Sequence, residues 1–293
     1  MPSGLPEIDR LPEIRRVFGV DFSGARNSGV NAWIAETELT AGEAMLRLTK
    51  LAPLGRLAGG DDRDTVNDYL VAQIRSSEAT LWGFDFPFGL PIELKLGGWR
   101  HNLRELRRFP GDAKDYGRFL VERSRQLVDA MHIRRITDRE TQTPFDCYHY
   151  RIIYQTFHGM RDVLGRVAGD DATCVLPFQF TKLSSSNRPR RVVVEACPSS
   201  TLKRLGLPHR LYKQRSGKPP TAEQQAVRRT ILATIGRSVK ISPRHRQTIL
   251  SNPGGDALDS VLAAVGSFTA WRSDDHAAVA RHSRYRREGR VYA

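Results

Sequence analysis

Cysteine is scarce in this chain: Cys147, Cys174 and Cys197 are the only three among 293 residues, and they form no CxxC pair. An odd and sparse set of cysteines argues against a disulfide framework and is typical of a reducing compartment. Long hydrophobic runs are also missing, since no stretch approaches the ~18 apolar residues of a membrane span and no apolar signal segment begins the sequence. We therefore expect a cytoplasmic protein that does not contact a membrane.

Several common catalytic motifs are absent as well. The sequence has no GxxxxGK[ST] or GxGxxG phosphate loop, no HExxH pair and no GxSxG nucleophile elbow. Its eight histidines form no close cluster, and we interpret His101, His149 and His158 as surface or structural residues. These absences leave no case for a serine or cysteine nucleophile, or for a histidine-based metal site.

Acidic residues are outnumbered, with 32 Asp and Glu against 46 Lys and Arg, which gives a net charge of +14 at pH 7. An excess of this size indicates an anionic partner, most simply nucleic acid. A basic, arginine-rich proteome would give the same composition. Basic residues are frequent at residues 87–189, and residues 281–290 have the composition of a basic tail.

The hydrophobic pattern predicts an α/β fold. Helical spacing is found at residues 61–76, where Val66, Leu70 and Ile74 share a face, and again from residue 256 to about 271. Apolar runs predict five strands, at residues 16–21, 31–38, 44–51, 80–85 and 191–195.

The remaining segments define the domain organisation. Residues 1–15 are polar, contain three prolines and are interpreted as a leader. Residues 16–290 are interpreted as a single domain, with a basic and mostly helical insertion at about 93–189. Turn residues predict a turn at 40–42 and a loop at 184–190.

Five carboxylates end or begin the predicted elements. Asp21, Asp85 and Glu195 each stand where an apolar strand stops, and Asp256 and Asp259 open the last helix. An ionised carboxylate beside a buried strand is costly unless it is paired, hydrogen-bonded or bound to a metal. Oxygen ligands of this kind suit Mg²⁺ or Mn²⁺, and two such ions about 3.5–4 Å apart activate water for phosphodiester cleavage. We therefore predict that all five acids act in catalysis at the metal, with Asp21 as the bridge and Glu195 as a ligand or a water-orienting base.

Each acid also has a simpler interpretation. Asp21 and Asp85 suit strand ends that bond to the following loop, and Glu195 suits an ion pair with a basic residue. Asp256 suits a helix N-cap, and Asp259 suits a first-turn acid favoured by the helix dipole. The helix face that carries Asp256 and Asp259 continues through small residues without charge until Arg272, which favours close packing over solvent exposure. Those small residues are Ala263, Gly266 and Ala270.

Other side chains are candidates for substrate contact. Lys213 suits a point charge on a scissile phosphate, although a solvated loop lysine has the same sequence pattern. Ser23 belongs to Asp21-Phe-Ser-Gly24, which is faintly similar to a phosphate loop of the actin-like class. The arginines of the insertion could bind a nucleic-acid backbone. Its aromatic residues are consistent either with base stacking or with the core of amphipathic helices. Those aromatic residues are Trp99, Phe109, Tyr116 and Phe119.

Short motifs along the chain resemble the DUF429 family, predicted nucleases of the ribonuclease H-like superfamily. The resemblance covers roughly residues 16 to 290, apart from most of 93–189. The acid pair of the last helix is also similar to the final pair of resolvase-type Holliday junction nucleases. The motifs are Gly19-Val-Asp-Phe-Ser-Gly24, Asp85-Phe-Pro-Phe-Gly-Leu-Pro91, Val194-Glu-Ala-Cys-Pro198 with Tyr212-Lys213, Gly255-Asp-Ala-Leu-Asp-Ser260, and Glu288-Gly289.

The resemblance implies a ribonuclease H-like, five-stranded mixed sheet of order 3-2-1-4-5, with the second strand antiparallel and divalent metal at the acids. Our leading hypothesis is a metal-dependent phosphodiester hydrolase that acts on nucleic acid, whose backbone the insertion and the C-terminal tail bind. One alternative is a nucleic-acid-binding protein that keeps the fold without catalysis. Another is a nucleotide phosphotransferase of the actin-like class, which the lack of an internal duplication disfavours.

Overall fold

The computed structural model describes residues 11–40, 45–184, 188–214 and 218–293. Most of the predicted leader, the greater part of the predicted turn at 40–42 and the middle of the predicted loop at 184–190 lie outside these residues. Among the described residues, no helix combines the length and the apolar composition that crossing a membrane requires.

The protein has an α/β fold built on one mixed sheet flanked by helices. The sheet has seven strands in the order β5-β6-β4-β1-β2-β3-β7. Strand β2 is antiparallel to both β1 and β3, and every other neighbouring pair is parallel. The strands are β1 (Arg16–Asp21), β2 (Trp33–Leu39), β3 (Leu46–Pro53), β4 (Thr80–Phe84), β5 (Thr173–Val175), β6 (Arg191–Glu195) and β7 (Val239–Lys240).

The strand order of the sheet differs from the predicted 3-2-1-4-5, although the five strands predicted from sequence are present as β1, β2, β3, β4 and β6, with β2 antiparallel. The prediction of a five-stranded sheet is nevertheless wrong, because β5 and β7 add one strand at each edge. These strands have three and two residues. Runs this short carry no alternation that a sequence pattern can detect.

Fourteen α-helices surround the sheet within the described residues. Five of them, α4 to α8, come from the region predicted as an insertion, which also supplies β5 and a π-helix at Gly159–Leu164. Short 3₁₀ turns occur at Ile92–Leu94 and Phe180–Ser184. The α-helices are α1 (Ser28–Asn31), α2 (Leu54–Ala58), α3 (Arg63–Ser76), α4 (Trp99–Arg108), α5 (Ala113–Val128), α6 (Ile136–Glu140), α7 (Ile153–His158), α8 (Gly165–Val167), α9 (Pro198–Arg204), α10 (Ala222–Ile235), α11 (Pro243–Ser251), α12 (Asp256–Ser273), α13 (His276–Arg281) and α14 (Tyr285–Glu288).

Two hydrophobic cores lie on opposite faces of the sheet. One contains Phe18 and Trp82, whose stacked rings have centroids 4.0 Å apart, together with residues of α3 and of the insertion. The other contains Val17 and Leu81 and is covered mainly by α12. Successive side chains of a strand point to opposite faces, so the residues of β1 and β4 that lie on the same face as Val17 and Leu81 face α12.

Helix α12 lies unusually close to the sheet because two paired glycines face it. Gly19 of β1 and Gly83 of β4 are neighbours in register. A Cβ atom on Gly19 would lie 2.0 Å from the Ser260 carbonyl oxygen, and one on Gly83 would lie 2.1 Å from Ser267 Oγ. On the helix, Gly266 makes the same kind of approach to Thr201 of α9. The predicted close packing of the small-residue face of this helix is confirmed.

Candidate metal centre

Three of the predicted acids meet at the carboxyl ends of β1 and β4. Asp21 ends β1, Asp85 follows the last residue of β4, and Asp259 lies in the first turn of α12. One oxygen from each carboxylate lies within 4.8 Å of the other two. Each strand acid comes two residues after its glycine, so both point toward α12, where Asp259 completes the group. We call Asp21, Asp85 and Asp259 the carboxylate triad.

Burial and mutual repulsion shift the acids of this region toward the protonated form. Burial raises the pKa of Asp21 well above its ordinary value, the charge of Asp259 adds to the effect and Lys213 opposes it. Burial likewise raises the pKa of Asp85 to about 7, again with Asp259 adding and Lys213 opposing. Burial raises the pKa of Asp256 to about 6. A bound cation would relieve this repulsion, so Asp21 and Asp85 are suited to exchange protons for a metal ion.

The third member of the triad already has two protein partners. The Tyr212 hydroxyl donates a hydrogen bond of 2.8 Å to Asp259 Oδ1, and the Lys213 ammonium forms an ion pair with Asp259 Oδ2. Tyr212 is buried, whereas 44% of the Lys213 side chain remains exposed. Burial alone lowers the pKa of Lys213, but Asp259, Tyr212 and Asp21 outweigh it and raise that pKa well above its ordinary value. Lys213 is therefore part of the acidic site and is not a solvated loop lysine.

A buried arginine fixes the loop that carries this pair. Arg228 of α10 is completely buried and donates to the Tyr212 carbonyl oxygen at 2.7 Å. It also donates to four carbonyl oxygens just before α12, at 2.6–3.1 Å. Sequence analysis missed this residue, because Arg228 and its exposed neighbour Arg229 look alike in a helical pattern. The four carbonyls before α12 belong to Ile249, Leu250, Asn252 and Pro253.

Glu195 lies apart from the triad, in an ion pair. Both of its oxygens accept hydrogen bonds from the buried Arg135 guanidinium, at 2.5 and 2.8 Å, and Oε2 also accepts from the Phe88 backbone N–H at 2.9 Å. Burial raises the pKa of Glu195, and Arg135 opposes the shift. The same guanidinium also binds Asp138 of α6. The interpretation of Glu195 as the partner of a basic residue is the one the structure bears out, and its predicted role as a metal ligand finds no support here.

Asp256 and Ser23 lie outside the triad too. Asp256 is the first residue of α12 but not its N-cap, which is Gly255 with a φ of 83° and no side chain. The N-cap interpretation of Asp256 is therefore wrong. Ser23 accepts a hydrogen bond from the Ala25 backbone N–H at 3.3 Å, and among the described residues it does not line the groove that contains the acids.

All five predicted acids line a single groove, with a volume of about 1610 Å³. Helices of the insertion and the loop after α9 form its sides. Its basic side chains, apart from the buried Arg135, are Arg134, Arg139, Arg151, Lys203, Arg210 and Lys213. The groove therefore combines a floor of carboxylates with cationic sides.

The structure places two segments that were candidates for nucleic-acid contact. Trp99 and Tyr116 are buried in a core, so for them the alternative of amphipathic helices with aromatic core residues is correct. The C-terminal segment does not extend as a basic tail, because Glu288 is fully buried and Arg284 pairs with it at 3.0 Å. Arg290 is likewise engaged by a carboxylate, with Asp274 at 2.5 Å. The segment packs into the fold beside Arg135, which donates to the Glu288 carbonyl oxygen at 3.1 Å.

Comparisons of the chain with protein-family models, with curated proteins and with solved structures found no match.

Proposed function

We propose that the protein is a metal-dependent phosphodiester hydrolase, a nuclease, that acts on nucleic acid. The observation that carries this proposal is the carboxylate triad, whose oxygens lie within 4.8 Å of one another in a groove with cationic sides. A ribonuclease H-like fold and membership of the DUF429 family belong to the same proposal. Both are supported by the succession β3-β2-β1-β4-β6 with β2 antiparallel, and by acids on the first strand, after the fourth and on the last helix.

The residues fit a hard divalent cation. Asp21, Asp85 and Asp259 offer only oxygen ligands, which Mg²⁺ and Mn²⁺ prefer. The raised pKa values of Asp21 and Asp85 mean that these two carboxyl groups gain from a nearby positive charge. When bound, the metal supplies an activated water at neutral pH and offsets the negative charge of a phosphate.

The sides of the groove fit a phosphate backbone. Arg139, Arg151 and Arg210 are exposed on the groove, on the insertion and on the loop after α9. Arginine donors bind phosphate oxygens without regard to sequence and give affinities that fall steeply with salt. The cationic sides would hold a nucleic-acid strand over the triad, while the net charge of +14 attracts it from solution.

The proposal is tested by exchanging one acid for its neutral isostere. Asp21→Asn should abolish Mn²⁺ binding in calorimetric titration and should lower Mn²⁺-dependent cleavage of DNA or RNA oligonucleotides by at least about 10³-fold. Asp68→Asn, an exposed acid on α3 whose partner is Arg166, is the matched control and should change neither. Wild-type cleavage by Asp21→Asn would overturn the proposal. Salt-dependent binding of nucleic acid without metal-dependent turnover would indicate the non-catalytic alternative instead.

A further inference from the structure

Each carboxylate oxygen of Asp259 already has one partner from the protein itself. Its Oδ1 accepts from the Tyr212 hydroxyl at 2.8 Å and its Oδ2 pairs with the Lys213 ammonium, while the carboxylate is buried. Each carboxylate oxygen has two lone pairs, so Asp259 keeps one free on each oxygen. An ammonium thus occupies a position beside the triad where a second divalent ion would otherwise share Asp259.

The placement of Lys213 is fixed by the surrounding structure. Arg228 ties the carbonyl of Tyr212 to the turn before α12, and the Gln214 backbone N–H donates to the Pro253 carbonyl at 3.0 Å. The Lys213 carbonyl accepts from the Gln224 side chain at 3.0 Å. Leu211 adopts a positive φ of 61°, which is costly for a residue with a branched side chain and is found where surrounding structure enforces it. The backbone contacts of this loop therefore hold the Lys213 ammonium at Asp259, in addition to the attraction between the two charges.

Within the described part of the chain, Asp21, Asp85 and Asp259 are the only three acids whose oxygens converge. Glu195 has both oxygens on Arg135, and it lies on the sheet face opposite α12, since its register partner is Phe84 and not Asp85. Asp256 does not join the group of carboxylates whose oxygens converge. The described residues therefore supply one three-carboxylate group and one fixed ammonium.

We infer that the centre takes a single divalent cation and that Lys213 serves as its second, built-in cation. The inference rests on the proposed function and deepens it, because it makes Lys213 a catalytic residue that touches the substrate phosphate. It replaces the two-metal arrangement that the sequence suggested.

The role of Lys213 in the reaction follows from charge. As the water oxygen bonds to phosphorus and the bond from phosphorus to the leaving oxygen breaks, negative charge grows on the phosphate oxygens. The ammonium donates a hydrogen bond to one of them and keeps its proton. The proton lost by the water passes to solvent, and the leaving oxygen takes one from solvent. Lys213 thus stabilises the transition state as a point charge and not as an acid.

The number of ions bound is the direct test. Mn²⁺ is titrated calorimetrically into the full chain, as wild type, Lys213→Met and Lys213→Gln, with and without a phosphorothioate oligonucleotide that resists cleavage. Wild type should bind one Mn²⁺ per chain in both titrations. The two Lys213 variants should bind the first Mn²⁺ at least about tenfold more tightly, because a positive charge beside the triad has been removed. Lys50→Met, which removes an exposed lysine of β3 that pairs with Glu36, should bind Mn²⁺ as wild type does.

The outcomes separate this inference from the proposed function. Two Mn²⁺ per chain in the wild type would overturn the single-ion centre but leave a metal-dependent hydrolase in place. Mn²⁺ binding by the Lys213 variants but not by the wild type would overturn the inference too, because Lys213 would then block the single metal site. A second Mn²⁺ that appears only when Lys213 is replaced supports the inference. No Mn²⁺ bound by any of these proteins would overturn the proposed function as well.

Cleavage gives a second readout. Lys213→Met should lower kcat by at least about 10²-fold with little change in KM, and additional Mn²⁺ should not restore it. Lys213→Arg, which keeps the charge, should recover part of the lost rate. A Lys213→Met protein with wild-type kcat would contradict the assignment of Lys213 as a catalytic residue.

Discussion

Two groups of buried carboxylates line the same groove, and only in one of them does every carboxylate pair with a cation of the protein. Glu195 and Asp138 share the Arg135 guanidinium through four contacts of 2.5–3.1 Å. The triad has the single ammonium of Lys213, which pairs with Asp259. Buried charge without a partner is costly, and a fold keeps it where function requires it. The comparison indicates that the Arg135 group holds the structure together and that the triad binds a metal ion.

Removal of the shared guanidinium should have the largest effect on folding. Arg135→Met leaves Glu195 and Asp138 buried without a counter-charge, so we expect a loss of about 3–5 kcal/mol in the free energy of unfolding, measured with urea at pH 7. Arg139→Met, an exposed arginine of the same short helix, should change stability by no more than about 0.5 kcal/mol. A loss below about 1 kcal/mol for Arg135→Met would show that the two groups do not differ as we describe.

The glycines that face α12 should affect both the stability of the fold and the geometry of the triad. Gly19→Ala places a Cβ atom 2.0 Å from the Ser260 carbonyl, so the helix must move away from β1. We expect a loss of about 1–3 kcal/mol of stability together with weaker Mn²⁺ binding, since Asp259 moves with the helix. Gly169→Ala, which meets open space, is the control and should change neither quantity. If Gly19→Ala lowered stability but left Mn²⁺ affinity intact, the packing of α12 would not position the triad.

The sequence predicted the triad better than it predicted Glu195, for a physical reason. In β1 and β4, the order glycine, apolar residue, aspartate shows which face each acid shares with its glycine. The segment Arg191-Val-Val-Val-Glu195 has no such alternation, so its face cannot be assigned from the pattern. In the sheet, Val193 belongs to the core opposite α12, and Glu195 points the same way.

Contacts between distant segments also escaped sequence analysis. Arg135 and Arg228 are fixed by tertiary partners, yet each stands next to an arginine that the pattern cannot distinguish from it. The C-terminal segment is basic by composition, but its glutamate, Glu288, is the most buried part and binds backbone N–H groups of Ile92 and Ile136. The five central strands were predictable because each carries enough apolar residues by itself. The partners of buried charges were not, because no local pattern encodes them.

Stability should depend on pH through the triad region. The pKa values of Asp85 and Asp256 are raised to about 7 and about 6, so the folded protein keeps protons there that the unfolded chain has lost above its ordinary pKa near 3.8. The stabilisation is complete below the unfolded pKa and is lost as pH rises through 6 and 7. In EDTA, we expect the free energy of unfolding to fall by on the order of 2 kcal/mol between pH 5 and pH 8.

Metal should reverse this dependence, because Mn²⁺ competes with the same protons. Mn²⁺ affinity should therefore rise between pH 5 and pH 8. Asp85→Asn should flatten the pH dependence in EDTA, whereas Glu78→Gln, an exposed acid paired with Arg190, should leave it unchanged. A protein whose stability in EDTA rises over this range would contradict the raised pKa values of the triad region.

The smallest effect is expected at the exposed sides of the groove, where neither group of carboxylates is touched. Arg210→Gln should leave the free energy of unfolding within about 0.5 kcal/mol of wild type, because the side chain is exposed. It should reduce the dependence of log Kd on log salt by about 0.9 for a duplex or 0.7 for a single strand, the loss of one phosphate contact. Arg237→Gln removes an equal charge from an exposed position outside the groove and should keep the wild-type slope. Equal slopes for both variants would mean that attraction to nucleic acid is set by overall charge and not by this groove.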